Sequence, residues 1–353
     1  MHKIYFLNLV FFLLLTSCTE KIIEDPIKIA PDSKAIYISN EGAFGYNNAS
    51  LSVYYPETDK LENKVFKKIN GRGLGDVLQS IYHYDDKLYY VVNASSKIEI
   101  SNANTFEEKG TITNITSPRY MHIIDNKAYI SCWGDGGQIV VVDLKDNNIV
   151  KKIDVGNGPE KILSTKDNLI VCNSGGFTTD STISIINLTT NNVIKTLKVG
   201  DVPSDVKFNS DSSYFYVLCK GKTIYDASWN VIGHTASKLV KILSSNFTIE
   251  SKNTLFQQRH PSQLVYNNLE DKFFIGGGYG FQGIYNYELD QEKLDTNALI
   301  DKSFYGISAD SKGNLYGFES TDFSSQGKMV IMDFQGNILK EAKVGIGPNG
   351  MTE

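Results

Sequence analysis

The chain is built from short apolar runs that alternate with polar turns. Runs such as Lys87–Val92 and Asn168–Cys172 are rich in β-branched and aromatic side chains, and polar turns containing Asp, Asn or Lys precede them. Runs of this length, bounded by such turns, are typical of β-strands. No heptad pattern and no long stretch rich in Ala, Glu and Lys interrupts them. The pattern therefore predicts an all-β protein.

One turn recurs along the chain and sets its period. Its best-formed copy is Lys151–Ile162, in which a strand-like run meets a Gly-rich turn closed by Gly158 and Pro159. Copies of this anchor turn, separated by 42, 41, 44, 58, 44 and 43 residues, are marked by Asp76, Pro118, Pro159, Pro203, Pro261, Tyr305 and Pro348. Periods in this range predict a repeat fold.

Each repeat predicts four strands, named A to D, with strand A directly after the anchor turn. A polar turn separates strand A from strand B, a loop separates B from C, and an Asn- or Asp-rich hairpin leads to D. Strand B recurs seven times and is predicted at Ala35–Ser39, Lys87–Val92, Lys127–Ser131, Asn168–Cys172, Tyr214–Leu218, Lys272–Gly276 and Asn314–Phe318.

The two ends of the chain complete one repeat. Residues 35–69 supply strands B, C and D with no strand A before them, whereas the chain finishes with an anchor turn and strand A at 347–351. Joining the ends closes a ring and protects sheet edges that an open solenoid would expose. The sequence predicts a seven-bladed β-propeller over residues 34–353, with four-stranded blades and the first blade shared between the N- and C-termini.

The N-terminal segment is typical of a lipoprotein signal. Residues 1–17 contain Lys3 and an apolar run that is too short for a spanning helix, which predicts a signal peptide. The Leu-Thr-Ser-Cys sequence ending at Cys18 resembles the bacterial lipobox, and this resemblance implies that Cys18 is the lipid anchor. Residues 18–33 are then a tether. The alternative is an ordinary thiol after an uncleaved signal.

Charge and cysteine content narrow the choice of partners and sites. The net charge is −5 and the lysines are scattered, so no basic surface that follows a nucleic-acid backbone is predicted.

Cys132, Cys172 and Cys219 end equivalent strands in consecutive repeats. Cysteines at equivalent positions of neighbouring repeats are expected to lie too far apart to form a disulfide. We therefore predict buried small apolar residues rather than a metal or redox set.

The Asn-Glu-Gly-x-Phe-Gly sequence at Asn40–Gly45 and the Val-Gly-x-Gly-Pro turns resemble those of YncE-like seven-bladed β-propellers. More narrowly, they resemble lipoprotein propellers of Bacteroidetes that include the BtuG cobalamin-binding surface proteins. The resemblance covers residues 35–353. It implies a non-enzymatic, lipid-anchored protein exposed on the outer membrane, which binds cobalamin or a related corrinoid and passes it to a TonB-dependent transporter. Cobalamin is then a transported ligand, and no cofactor is implied. Only framework motifs match, so no binding residue is carried over.

The connections from strand D to strand A and the loops from B to C emerge on one face of a propeller, around its channel. The chain contains 32 lysines but only three arginines. All three arginines lie in D-to-A connections: Arg72, Arg119 and Arg259. Arginine offers a planar fork of donors for carboxylate, phosphate or amide oxygens, which predicts ligand recognition. The alternative is that these arginines join neighbouring blades.

The B-to-C loops carry aromatic and short polar residues that could complete a binding face. Both tryptophans of the chain are among them, and exposed aromatic rings offer large rigid surfaces to a ligand. Together with the three arginines, the predicted ligand-binding residues are Phe44, Tyr46, Asn93, Tyr120, Trp133, Asp135, Asn173, Phe177, Trp229, Tyr279 and Phe281. The alternative is that the aromatics cover the tops of the blades.

An insertion is predicted on the same face. The interval from Pro203 to Pro261 exceeds the period by about 15 residues, and the excess falls at 220–237, between strands B and C. Insertions on a functional face give repeat folds their specificity, although a plain surface loop explains the length equally.

Other sequence patterns carry less weight. Residues 278–283 match GxGxxG, but a strand-like pattern follows them, so no dinucleotide site is predicted. The histidines show no metal-binding spacing, and no metal site is predicted.

Two alternative functions remain. One is glycan or peptide binding for another uptake system. The other is a hydrolase or lyase, which needs convergent carboxylates from Glu41, Asp135, Glu160, Asp205 or Glu319.

Overall fold

A computed structural model of the protein describes residues 35–353. The predicted signal peptide, the anchor at Cys18 and the tether lie outside these residues. Within them the chain forms β-strands, the helix α1 (Val65–Asn70) and one turn of 3-10 helix at Gly134–Gly136. Neither helix is long and apolar enough to cross a membrane, a statement that concerns residues 35–353 alone.

The strands form seven sheets, or blades, in chain order. Blade 1 begins with β1 (Ile36–Asn40), β2 (Ser50–Tyr55) and β3 (Lys60–Asn63). Blade 2 contains β4 (Leu78–Tyr84), β5 (Lys87–Val92), β6 (Lys97–Asn102) and β7 (Glu108–Ile112). Blade 3 contains β8 (Pro118–Ile124), β9 (Lys127–Cys132), β10 (Gln138–Asp143) and β11 (Asn148–Asp154). Blade 4 contains β12 (Pro159–Ser164), β13 (Asn168–Asn173), β14 (Thr182–Asn187) and β15 (Asn192–Lys198).

The remaining blades carry the irregular features. Blade 5 contains β16 (Pro203–Phe208), β17 (Tyr214–Cys219), the hairpin β18 (Lys222–Tyr225) and β19 (Val231–Thr235), then β20 (Ser237–Leu243) and β21 (Ile249–Phe256). Blade 6 contains β22 (Gln263–Asn267), β23 (Lys272–Gly276), β24 (Gln282–Glu288) and a fourth position divided between β25 (Lys293–Leu294) and β26 (Ile300–Ser303). Blade 7 contains β27 (Gly306–Ala309), β28 (Asn314–Glu319), β29 (Gln326–Asp333) and β30 (Ile338–Ile346).

The last strand, β31 (Pro348–Thr352), closes the ring. It pairs antiparallel with β1, with Ile38 opposite Met351, and becomes the innermost strand of blade 1. It lies between β27 and β4, the inner strands of the two adjoining blades. Asn349 extends the closure because its side-chain amide donates to the carbonyl oxygen of Gln79 in blade 2 at 2.9 Å. The prediction of a seven-bladed propeller with a shared first blade is confirmed.

The core lies between the blades, which explains the apolar runs in the sequence. In β5, Leu88 and Tyr90 pack into a cluster with blade 1, whereas Tyr89 and Val91 pack into a cluster with blade 3. Strands covered on both faces need apolar side chains on both faces. All seven predicted B strands are confirmed within one residue at each end.

The three cysteines of the propeller belong to this core. Cys132, Cys172 and Cys219 are buried and unpaired, as predicted. Burial raises the pKa of the Cys132 thiol to about 12, and the same cause raises that of Cys219 to about 12. The thiols therefore act as apolar filling between blades.

Candidate functional site

The anchor turns have one shared backbone geometry. In five of the seven repeats the residue before the inner strand has a left-handed backbone with φ between 51° and 61°: Val77, Ser117, Gly158, Val202 and Gly347. In all five of these repeats its carbonyl oxygen accepts from the first B-to-C loop residue of the same blade, as in the 2.9 Å bond from the Ser174 N–H to Gly158. The turn thus bonds the D-to-A connection to the B-to-C loop of the same blade. We call the face of the propeller on which these loops lie the upper face.

The backbones of these two loops touch at Gly158. A Cβ atom at this position would overlap the backbone of Gly175 and Gly176 in the facing loop. Glycine is required here both because φ is 56° and because the two backbones touch.

Two cavities meet end to end in the central channel. The upper cavity has a volume of about 340 Å³ and opens on the upper face, and the lower cavity has a volume of about 560 Å³. Both cavities are lined by the same five residues, which we call the waist: Gln79, Tyr120, Lys161, Gln263 and Asn349.

Each of the seven repeats contributes one residue, from its anchor turn or the start of its inner strand, to the lining of the upper cavity. These residues are Gln79, Arg119, Glu160, Ser204, Ser262, Tyr305 and Asn349. Most of them were missed by the sequence prediction, which ranked loop residues by type. In five of the seven repeats the lining residue directly follows the anchor proline, and this shared position is the signal that could have found them.

Arg119 is the one predicted arginine that lines the channel. Its guanidinium forms a salt bridge with Glu160 of the next blade, with an Nη2 to Oε1 distance of 3.1 Å, and also donates to the side-chain oxygen of Gln79. It lies 4.1 Å from the ring centre of Trp133. Trp133 in turn meets Phe177 edge to face at 5.3 Å. The stack runs from the channel wall to the upper surface.

Arg72 and Arg259 do not line the channel with Arg119. Arg72 makes two 2.9 Å hydrogen bonds to Glu99 and a 2.8 Å salt bridge to Glu108, both within blade 2. Arg259 lies among three aromatic rings and donates to the Tyr285 hydroxyl at 2.8 Å. Arg259 thus contacts blade 5 through Phe256 and blade 6 through Tyr285, as in the alternative that the arginines join neighbouring blades, whereas Arg72 holds its connection on blade 2.

Two predicted contact residues are buried, and the expectation that they face a ligand is corrected. Phe281 is only 3% exposed because it packs against Phe256 and Tyr285 beside Arg259. Asn173 is fully buried, and its amide donates to the hydroxyls of two residues on the neighbouring strand β14. The Asn173 side chain thus serves its own blade, and Phe281 packs between blades 5 and 6.

The other polar predictions fall in different places. Asn93 donates to the carbonyl oxygen of Pro118 at 3.0 Å and so joins blade 2 to blade 3. Asp135 is exposed in the 3-10 turn, with a carboxylate oxygen 3.7 Å from the Lys152 amine. Tyr120 belongs to the waist, where its hydroxyl accepts from Gln79 at 3.3 Å.

Five predicted aromatic residues are strongly exposed on the upper face. Phe177 is 91% exposed, Trp229 and Tyr279 are each 81% exposed, and Phe44 and Tyr46 are exposed to a similar degree. They come from the B-to-C loops of blades 1, 4, 5 and 6. The sequence prediction located them correctly.

The insertion forms the hairpin β18–β19 between strands B and C of blade 5, as predicted. Trp229 lies at its tip, 5.9 Å from Tyr225. At its base, ring nitrogens of His234 and His260 are 2.9 Å apart, and His260 donates to the carbonyl oxygen of Lys220 at 2.7 Å. The histidine contact connects the hairpin to the rim of the upper cavity.

The carboxylates proposed for hydrolysis are each engaged by another group. Glu41, buried at the upper cavity, accepts from Asn349 at 2.8 Å and from the Tyr305 hydroxyl at 3.2 Å, and burial raises its pKa. Asp205 accepts from two backbone N–H groups, and Glu319 forms a salt bridge with Lys302. Residues 35–353 contain no cluster of three or more His, Cys, Asp or Glu side chains arranged to hold a metal ion.

Comparison with known families gives one match. Residues 34–267 match the family described as "Domain of unknown function (DUF5074)". No curated protein sequence matches the chain.

Solved structures similar to this chain are numerous but distant in sequence. A quinonprotein alcohol dehydrogenase-like protein from Bacteroides thetaiotaomicron is 16% identical, with a TM-score of 0.63, over 90% of this chain and 78% of that one. A functionally unknown protein from Desulfotomaculum acetoxidans is 11% identical, with a TM-score of 0.63, over 90% and 98%. Hydrazine synthase from Kuenenia stuttgartiensis is 13% identical, with a TM-score of 0.59, over 74% and 84%. Identities this low establish the fold alone.

Proposed function

The chain belongs to the DUF5074 family, a domain family of unknown function, and we propose that this member binds a solute on the upper face of its propeller. In our proposal it is a lipoprotein anchored through Cys18 and displayed on the outer membrane. The bound solute is passed to a TonB-dependent transporter. Binding, rather than catalysis, is the activity.

One observation carries the proposal. Within residues 35–353, every Phe, Tyr or Trp with a strongly exposed side chain lies in a B-to-C loop of the upper face. These residues are Phe44, Tyr46, Phe177, Tyr225, Trp229 and Tyr279. Apolar rings gathered on one face, around the mouth of a cavity, are typical of ligand-binding surfaces.

The leading solute is cobalamin or a related corrinoid. This choice comes from the resemblance to BtuG-like propellers and from chemistry that fits the upper face. A corrinoid offers a broad ring to the exposed aromatic residues, and amides and a phosphate to the polar groups of the loops. Loops already fastened by the anchor turns lose little conformational freedom on binding, which favours affinity.

Binding instead of catalysis is supported by the state of the channel carboxylates. A general acid and base need free protons or lone pairs directed at a substrate. Glu160 is held by Arg119, and Glu41 accepts from two donors. These contacts favour a structural role for both carboxylates.

Isothermal titration calorimetry of the protein with cyanocobalamin tests the proposal. We expect saturable heat, and Trp229→Ala or Tyr279→Ala should weaken binding at least about tenfold, since a buried aromatic contact contributes roughly 1–3 kcal/mol. Leu269→Ala is the matched control, because Leu269 is an exposed apolar residue in the turn between β22 and β23, at the other end of blade 6.

Absence of heat with cyanocobalamin, together with binding of glycans or peptides that depends on the same aromatic residues, would replace the corrinoid with the solute of another uptake system. No binding of any of these solutes would refute the proposed function.

A further inference from the structure

We propose that the waist of the central channel is an oxyanion-binding site for a phosphate or carboxylate group. The proposal is independent of the solute bound on the upper face. It rests on which hydrogen-bonding groups at the waist and in the upper cavity are already occupied, and on the charge that remains.

The strongest acceptors in the upper cavity are occupied. The Glu160 carboxylate accepts from Arg119, and the Glu41 carboxylate accepts from Asn349 and Tyr305. At the waist, the side-chain oxygen of Gln79 accepts from Arg119 and that of Gln263 accepts from the Ile307 N–H. Because those two donors cannot act as acceptors, the orientations of both glutamine amides are fixed.

Several donors are not occupied. Six groups facing the upper cavity donate to no acceptor within residues 35–353: the amines of Lys161 and Lys220, the amide of Gln263 and the hydroxyls of Tyr120, Ser262 and Tyr279. Three of them, Tyr120, Lys161 and Gln263, belong to the waist. A carboxylate or phosphate group is a charged acceptor, so it matches these donors and also pairs with the lysine charges, which a neutral sugar hydroxyl does not.

The charges favour an anion as well. The upper cavity is lined by the cations Arg119, Lys161 and Lys220 and by two carboxylates, one of which neutralises Arg119. Neither lysine forms a salt bridge with any residue in 35–353. Burial lowers the pKa of Lys220; the charge of Glu160 opposes this shift, and that of Arg119 adds to it. A desolvated ammonium group without a counterion is unfavourable, and a bound anion removes this cost.

Lys161 is already positioned for this role. Its amine lies 4.0 Å from the ring centre of Tyr120, which holds the charge at the waist by a cation–π contact. The lining of the lower cavity contains two acidic residues, Asp205 and Asp310. The oxygens of Asp205 accept two backbone N–H groups, and those of Asp310 accept from its own turn and from Tyr316. The lysine charge is therefore available to an incoming anion.

The test is titration of the full chain with inorganic phosphate and, separately, with acetate, in a buffer that contains neither. Heat with phosphate alone would identify a phosphate group as the ligand, and heat with acetate alone or with both would identify a carboxylate-compatible site. Lys161→Met and Lys220→Met should each weaken binding about tenfold or more, because each removes a charged hydrogen bond. Lys145→Met, in an exposed turn of blade 3, is the control and should change nothing.

The same anions should raise the melting temperature of the wild-type protein and raise it less in the two lysine variants. Trp229→Ala should retain phosphate or acetate binding, so failure at the waist and failure on the upper face are separate outcomes. The proposal is wrong if neither anion binds, or if both lysine variants bind with wild-type affinity.

Discussion

Arg119 and Glu160 occupy equivalent positions in neighbouring blades, each directly after an anchor proline, and their side chains form a 3.1 Å salt bridge. Both side chains are largely buried. The anchor turns therefore do two things at once. They join blade 3 to blade 4, and they direct the next side chain into the channel.

Replacing Arg119 should destabilise the propeller. Arg119→Met leaves the Glu160 carboxylate buried without its counterion, which costs about 3 kcal/mol in the free energy of unfolding. Urea denaturation measures this, and a double-mutant cycle with Glu160→Gln should give a coupling energy above about 1 kcal/mol. Lys109→Met is the control, because its pair with Glu107 is exposed at 3.8 Å and should contribute less than about 0.5 kcal/mol. Wild-type stability in Arg119→Met would show that the salt bridge does not stabilise the contact between blades 3 and 4.

The anchor glycine gives a second prediction. Gly158→Ala combines an unfavourable φ with overlap against Gly176, so we expect a loss of about 2 kcal/mol or more in unfolding free energy. Gly280→Ala is the matched control: φ is 75°, but a Cβ atom there meets nothing within 4 Å, so only the conformational cost of about 1 kcal/mol remains. Equal losses in the two variants would mean that contact between the loops contributes nothing.

The fold could be predicted from the sequence because period and strand pattern suffice to define it. Apolar runs on both faces of each strand and a repeat divided between the chain ends have one simple explanation, a closed ring of sheets. The channel lining could not be predicted in the same way. It depends on a left-handed residue before the inner strand in five of the seven repeats, and two of these residues, Val77 and Val202, are β-branched and rarely adopt that conformation.

Arg259 illustrates a second limit. Its position in a D-to-A connection was known from the sequence, but the rings that surround it come from β21, β24 and the loop before β24. Side-chain direction at such a point depends on packing between strands distant in sequence. The exposed aromatics of the B-to-C loops were easier to predict because no neighbouring strand covers them.

The contact between His234 and His260 predicts a dependence on pH. His260 donates from Nδ1 to the Lys220 carbonyl, so when neutral its Nε2 must accept from Nδ1 of His234. Burial lowers the pKa of His260; the hydrogen bond to the Lys220 carbonyl opposes this shift, and the charges of His234 and Lys220 add to it, so the net shift is downward. Because the folded-state pKa is depressed, this stabilisation is present above the unfolded pKa of about 6.5 and is lost as pH falls through the folded value.

Hydrogen exchange of residues 222–235, corrected for intrinsic rates, should therefore show a looser hairpin at pH 5 than at pH 7.5. His260→Gln should remove most of that difference, whereas the exposed His83→Gln should leave it intact. An unchanged pH response in His260→Gln would locate the titrating group elsewhere.

Excision of the hairpin tests whether the insertion serves binding or only covers the blade. β18 and β19 pair with each other and with no other strand of the described chain, so replacing residues 222–235 by a short Gly-Ser linker leaves the four-stranded sheet of blade 5 complete. We expect the melting temperature to change by less than about 4 °C, which corresponds to about 1 kcal/mol or less. The exposed surfaces of Tyr225 and Trp229 are lost, so affinity for the upper-face solute should fall at least about tenfold.

Phosphate binding at the waist should survive the excision, because Lys161 and Lys220 both lie outside the removed segment. A hairpin that only covers the blade predicts the reverse pattern, with lower stability and unchanged affinity, so melting and calorimetry on one variant decide between the two roles.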